Sequence, residues 1–189
     1  MTYKDIHAHL APGGVDAPEG VLVSLTPDEA RRVLSRPGLR GHFTVGIHPW
    51  DTDRPVDWDE FTRFLDHPAV VGVGECGLDK LRGAPLPVQE EILVRQLRLA
   101  TDHNLPVILH IVKAFDTLLR LRGQFQSSAP WIVHGFRGNP QLAQQLLRAG
   151  IDISLGPRYN PATLAVIPPS RLYRESDAPV SAETNFWGS

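Results

Sequence analysis

Residues 87–112 read PVQEEILVRQLRLATDHNLPVILHIV. In the first part, 87–103, Ile92, Leu93, Leu97 and Ala100 fall on one continuous apolar stripe, which is helical periodicity. The second part, PVILHIV (106–112), is a short Val/Ile-rich run that starts at a proline and has the character of a strand. A helix that leads directly into a strand is half of a strand–helix–strand crossover, and this run ends beside His110, a side chain that packing alone does not call for.

The same alternation extends in both directions. Seven other runs have strand character: YKDIHAHL (3–10), GVLVSLT (20–26), HFTVGIH (42–48), AVVGVGE (69–75), PWIVHGF (130–136), GIDISLG (150–156) and RLYRESD (171–177). Between them lie amphipathic stretches at 27–36, 57–67, 114–123 and 139–150, and a shorter one at 160–168. PDEARRVLSR opens with proline and two acids, as a helix N-terminus should. AFDTLLRLRG and NPQLAQQLLRAG each close on glycine, a common helix stop.

Regular alternation of this kind predicts an α/β fold with parallel strands and right-handed crossovers. Eight strands predict closure into a (β/α)8 TIM barrel, and a full one usually takes about 200 residues or more. Here APGGVDAPE (11–19) leaves no room for a helix after the first strand, and VSAETNFWGS (180–189) is too short for one after the last. The expectation is a trimmed or distorted barrel filling residues 1–189 as a single domain.

Global properties narrow the function. The formal charge is −2, so no general basic field announces a nucleic-acid partner, and any anionic substrate must be drawn by local charge. The single cysteine, Cys76, excludes an intrachain disulfide framework and is expected as a small core residue. No apolar run reaches membrane-spanning length and the N-terminus lacks a signal-peptide pattern, so a cytoplasmic protein without membrane contact is expected.

The polar residues on the strands point to chemistry. Alternation puts Asp5, His7 and His9 on one face of their strand, with Ile6 and Ala8 on the other. His48, Glu75, His110, His134 and Asp177 each come at or near the C-terminal end of another run. In a parallel barrel these ends meet at one rim, where active sites are built. Buried charges need partners, and a divalent metal supplies one. Four imidazoles and two carboxylates suit Zn²⁺ or Mn²⁺ by ligand type; Mg²⁺ prefers more oxygen ligands but can serve when supplied.

On DIHAHL, VGIHPW, VGVGECGLDK, LPVILHIVKA, VHGFRGNP, GIDISLG and ESDAP, in that order along nearly the whole chain, the sequence resembles the TatD family of metal-dependent hydrolases within the amidohydrolase-like barrels. The resemblance implies a distorted barrel with a divalent metal centre, commonly of two ions, and phosphodiester hydrolysis on nucleic acid, most simply as a deoxyribonuclease. Carried over, His7, His9 and Asp177 would hold one ion, His110 and His134 the second, and Glu75 would bridge them. Asp177 would orient the attacking water or take its proton. Asp5 would either hold an imidazole tautomer or serve as a hydrogen-bonder at the strand start.

The chain departs from the commoner family pattern beside these ligands. Ile111, Val112 and Lys113 follow His110 where serine and arginine are usual; HGFRG brings Gly135 and Arg137; and Lys80 replaces a tyrosine after GLD. Lys80, Arg82, Lys113, Arg137 and Arg158 all come shortly after strand ends and would form a basic crown for phosphate. Lys113, Arg137, Lys80 and His48 are the expected substrate contacts, and Trp50 and Trp187 are candidates to stack on a base. Two other functions remain on the same scaffold: amide or ester hydrolysis, including deacylation of aminoacyl-tRNA, and a non-catalytic barrel that binds nucleic acid or another partner.

Overall fold

The structure, a computed structural model, describes residues 3–180. Strands β1 (Asp5–Leu10), β2 (Val21–Leu25), β3 (His42–Val45), β4 (Val70–Asp79), β5 (Val107–Val112), β6 (Trp131–Val133), β7 (Ile151–Leu155), β8 (Leu172–Arg174) and β9 (Pro179–Val180) form one sheet in the order 8-7-6-5-4-3-2-1-9, with every pairing parallel. The helices are α1 (Pro27–Leu34), α2 (Trp58–Leu65), α3 (Leu86–Asp102), α4 (Phe115–Arg122), α5 (Pro140–Arg148) and α6 (Pro161–Leu164).

The two ends of the sheet meet through residues 172–180. β8 pairs with β7, and β9 pairs with β1. Between them, the Glu175 N–H reaches Leu155 O (3.4 Å) while the Asp177 N–H donates to His7 O (3.0 Å). The eighth strand is thus broken in two, each half serving one neighbour. A barrel results, as expected, with nine strand segments where eight runs were read. Residues 11–20 contain no helix, also as expected. Of the stretch expected to lack the last helix, 180–189, Val180 ends β9 and the rest lies outside the described residues, as does Trp187.

Two local expectations are corrected. The β4 strand does not stop at Glu75: Cys76, Gly77, Leu78 and Asp79 continue the ladder opposite Leu109, His110, Ile111 and Val112. Gly77, at φ +155°, makes this possible, because a methyl group there would collide with the backbone carbonyl of His110. On β1 the strict alternation fails. The register against β2 shifts between Asp5 and Ala8, and Ile6 and Ala8 end in different apolar clusters. A bulge re-aims side chains in this way. Ile6 packs with Ile108 and Ile132, while Ala8 joins the main core with Val23, Phe43, Val73, Leu97 and Leu109.

Local sequence explains the frame. Thr26 and Glu29 form a reciprocal capping box that starts α1, and Asn139 caps α5 ahead of Pro140. Helix α3 carries two buried glutamines. Gln96 accepts from the Ile47 N–H (2.8 Å) and donates to Ile47 O (3.2 Å). Gln89 accepts from the Asp79 N–H and donates to the carbonyls of Asp79, Arg82 and Ala84. Each side chain gives buried backbone groups the partners that irregular chain denies them.

Candidate metal centre

At the C-terminal rim the Glu75 carboxylate sits inside a ring of imidazoles. Its Oε1 lies 2.8 Å from His110 Nδ1, 2.8 Å from His134 Nε2 and 3.2 Å from His48 Nε2. Its Oε2 lies 3.2 Å from His7 Nε2 and 3.8 Å from His9 Nε2. Asp177 Oδ1 closes the circle, 3.3 Å from His9 Nε2 and 3.5 Å from His7 Nε2. Each oxygen of Glu75 therefore faces its own group of ring nitrogens. These side chains form three clusters able to hold a cation: His7, His9 and Glu75; His7, His134 and Asp177; and His48, Glu75 and His110. With metal–nitrogen bonds of roughly 2.0–2.1 Å, donor atoms around a four-coordinate ion stand about 3.3 Å apart, which is the spacing found here.

The far ring nitrogens decide which imidazoles present a lone pair. His7 Nδ1 meets Ser24 Oγ (2.9 Å), which meets Thr44 Oγ1 (2.8 Å). With Nδ1 engaged by that hydroxyl pair, Nε2, fully buried and without an aligned hydrogen-bond partner, faces the carboxylates. His134 Nδ1 faces Glu175 Oε1 (3.4 Å), and His110 Nε2 faces Asp79 Oδ2 (3.6 Å). In both rings a carboxylate stands behind, close but without an aligned hydrogen bond, and the other nitrogen points at Glu75. His48 is the reverse. Its Nδ1 accepts the Trp50 N–H (3.2 Å), so the neutral ring carries its proton on Nε2 and acts as a donor. His7, His9, His110 and His134 turn a ring nitrogen toward Glu75 or Asp177, and this donor set fits a divalent cation; His48 fits a hydrogen-bond donor.

The electrostatics agree. Burial alone would raise the Glu75 carboxyl, but His134, His110 and His48 hold it well below the usual carboxylate range. Burial opposes charge on His134 and His7 too, yet the surrounding carboxylates push both imidazoles up, His134 to about 10. Asp177 is likewise lowered against its burial by His7 and His9. Without a cation, protons on the rings balance the carboxylates.

The other expected residues are placed as follows. Asp5 accepts from the N–H groups of His7 (3.1 Å) and Ser176 (3.2 Å), and so pins β1 to the closing segment; the His7 ring is held by Ser24 instead. Lys80 is paired with Asp116 (3.0 Å). Lys113 is exposed at the end of β5 on left-handed backbone (φ 53°), as is Asp177 (φ 51°), an uncommon conformation that concentrates at functional sites. Arg137 and Arg158 are exposed and lie together in a side cavity beside Asp177. Trp50 lines the cavity at this centre, of about 340 Å³, but its indole N–H donates to Asp79 Oδ2 (2.7 Å) and the Arg82 guanidinium covers its ring at 3.7 Å. One face of that ring is already taken. Cys76 is fully buried in the core.

Ser24, Thr44, Asp79 and Glu175 were not singled out from the sequence. Asp79 and Glu175 stand inside quoted motifs, GECGLD and ESDAP, and the shared parity of Glu175 with Asp177 was the available signal. For Ser24 and Thr44 the roles arise from cross-strand neighbours.

The family described as TatD related DNase matches residues 5–188. A protein of Cronobacter turicensis named 3'-5' ssDNA/RNA exonuclease TatD is 34% identical over 188 residues, covering 91% of this chain and 70% of that protein. An Enterobacter lignolyticus protein of the same name is 33% identical, and this chain spans only 65% of its length. The crystal structure of YjjV, a TatD homologue from Escherichia coli K12, superposes with a TM-score of 0.72 at 29% identity, covering 83% of this chain and 66% of that one.

Proposed function

This chain belongs to the TatD-related DNase family, and from that premise we propose that it is a divalent-metal-dependent phosphodiesterase acting on single-stranded nucleic acid, from an end. The observation that carries the reading is the Glu75 carboxylate with a separate set of inward ring nitrogens on each oxygen. His7, His9 and Asp177 would hold one cation, His110 and His134 a second, with Glu75 between. A divalent cation held there would supply Lewis-acid chemistry, polarising a phosphoryl oxygen and lowering the pKa of a water. The protein's own groups do the rest. Asp177, on the solvent side of the cluster, would orient that water or take its proton. His48, whose Nε2 faces Glu75 Oε1 at 3.2 Å, would turn its N–H to a phosphate oxygen once a cation takes that carboxylate oxygen. Lys113 draws the incoming anion as a point charge.

Substrate form follows from size and charge. A central cavity of about 340 Å³ suits one nucleotide, and a net charge of −2 gives little grip on a duplex. The relatives named as exonucleases on ssDNA and RNA support action from an end and leave both nucleic acids as substrates for test.

The test is a time course on 5′- and 3′-labelled single and double strands of DNA and RNA, and on bis(p-nitrophenyl) phosphate. Mn²⁺, Zn²⁺ or Mg²⁺ is supplied, with Asp177→Asn as control. Ladders that shorten from one end, abolished by chelator and by the control substitution, are expected. Equal slow loss with wild type and control means contamination and directs the search to amide or ester substrates.

A further inference from the structure

Beside the metal centre lies a second, smaller cavity of about 90 Å³, walled by Gly135–Arg137 after β6, Gly156–Tyr159 after β7 and Glu175–Asp177 in the closing segment. It shares one residue with the central cavity, Asp177. At about 30 Å³ per water it holds the equivalent of about three waters, enough for a phosphate group and too little for a nucleoside. Two exposed arginines, Arg137 and Arg158, are among its lining residues, and among the described residues neither has an ion-pair partner. Its two carboxylates each have one oxygen engaged, while Glu175 Oε2 is buried without a hydrogen-bond partner. Glu175 Oε1 takes the Gly135 N–H at 2.6 Å and faces His134, and Asp177 faces His7 and His9. A third guanidinium, Arg174, stands over the Tyr159 ring at 5.7 Å.

Two unpaired, planar, fork-shaped donors on facing loops are the chemistry that binds a phosphate dianion, which a phosphomonoester offers and an internal diester does not. We propose that this cavity binds a second phosphate of the substrate, the terminal phosphomonoester one nucleotide unit from the bond being cut, through Arg137 and Arg158. Asp177 is then the partition between the two phosphates, touching the water on one side and closing the terminal pocket on the other. The inference rests on the phosphodiesterase reading above and adds to it that the site measures its distance from a phosphorylated chain end.

The experiment uses p-nitrophenyl esters of thymidine 5′-phosphate and thymidine 3′-phosphate, each with and without a phosphate on the opposite hydroxyl. The readout is the ratio of kcat/KM with the added phosphate to that without. A preference of at least about tenfold, carried by KM, is expected in one of the two pairs. Arg158→Ala and Arg137→Ala should each bring that ratio to within about threefold of one, and each should lessen the salt dependence of KM for the bisphosphate. If the parent esters are turned over but neither pair shows a preference, or if the preference survives both substitutions, the terminal-phosphate site is overturned while the phosphodiesterase reading stands. If no parent ester is turned over under any of the three metals, the phosphodiesterase reading fails and takes this inference with it.

Discussion

At the scale of single residues, the centre depends on which nitrogen of each ring carries a proton, and substitutions separate the roles. Glu75→Gln keeps the side-chain shape but removes the charge that both groups of imidazoles face. The variant should still fold, seen as a cooperative thermal transition, while metal-dependent turnover falls by at least about 100-fold, the upper range for losing even an outer partner of a metal site. Near-normal turnover at limiting metal would show that Glu75 does not join the two groups. Ser24→Ala probes the step behind. It deletes the hydroxyl that fixes His7 Nδ1 and leaves that ring nitrogen buried and unpaired. Metal affinity, measured by titration calorimetry, should weaken about 10–100-fold, while Thr44→Ser, which retains a hydroxyl at the next link, should stay close to wild type.

At the scale of elements, α3 works as a bracket. Its Gln96 holds both backbone groups of Ile47, next to His48, and its Gln89 holds the turn that follows Asp79. Gln96→Leu should leave one buried donor and one buried acceptor unsatisfied, at about 1–3 kcal/mol each. At about 2–4 °C per kcal/mol for a chain of this size, the thermal midpoint should fall by several degrees. Turnover should fall with it, because the loop that aims His48 loses its anchor. A midpoint unchanged within error would mean that water replaces the glutamine. The helices themselves were legible as amphipathic periods with caps, and α3 most clearly, yet Gln89 and Gln96 look in sequence like ordinary polar interruptions of its apolar stripe. The far end of β4 was hidden for a related reason. Gly72, Gly74 and Gly77 dilute the apolar pattern just where the ladder continues toward Asp79. The site was legible where a charged or imidazole side chain closes an apolar run, as at Glu75, His110 and His134. It was not legible where a role depends on a neighbour across the sheet, as for Ser24 and Thr44, or where a bulge breaks alternation, as in β1.

At the scale of the whole molecule, cation, protons and stability are one linked system. The barrel closes through the segment that carries Asp177, and the Asp177 N–H is itself hydrogen-bonded to His7 O, so the strands that form the ring also form the centre. His7 and His134 have raised pKa values because the carboxylates around them outweigh the cost of burying their charge. For a group raised on folding, the stabilisation is complete below its unfolded value, about 6.5 for histidine, and is lost as pH climbs through the folded value, about 10 for His134. The metal-free protein should therefore lose stability from pH 6.5 upward through pH 9. A cation acts in the opposite sense. It needs those nitrogens deprotonated, so binding releases protons and tightens as pH rises. At a free concentration about 100 times its dissociation constant it adds about 2.7 kcal/mol, or roughly 5–10 °C in thermal midpoint. The expected result is a metal-induced shift that widens from pH 6.5 to 9, because the metal-free midpoint falls while the metal-bound one holds. Scanning calorimetry at fixed excess Mn²⁺ against chelator, with Tris avoided for its metal binding, reads it directly. Isothermal titration in two buffers of different ionisation heat counts the protons released. A shift that is flat or narrows with pH would mean that the imidazoles are not the groups the cation displaces protons from, and the assignment of His7 and His134 as ligands would fall.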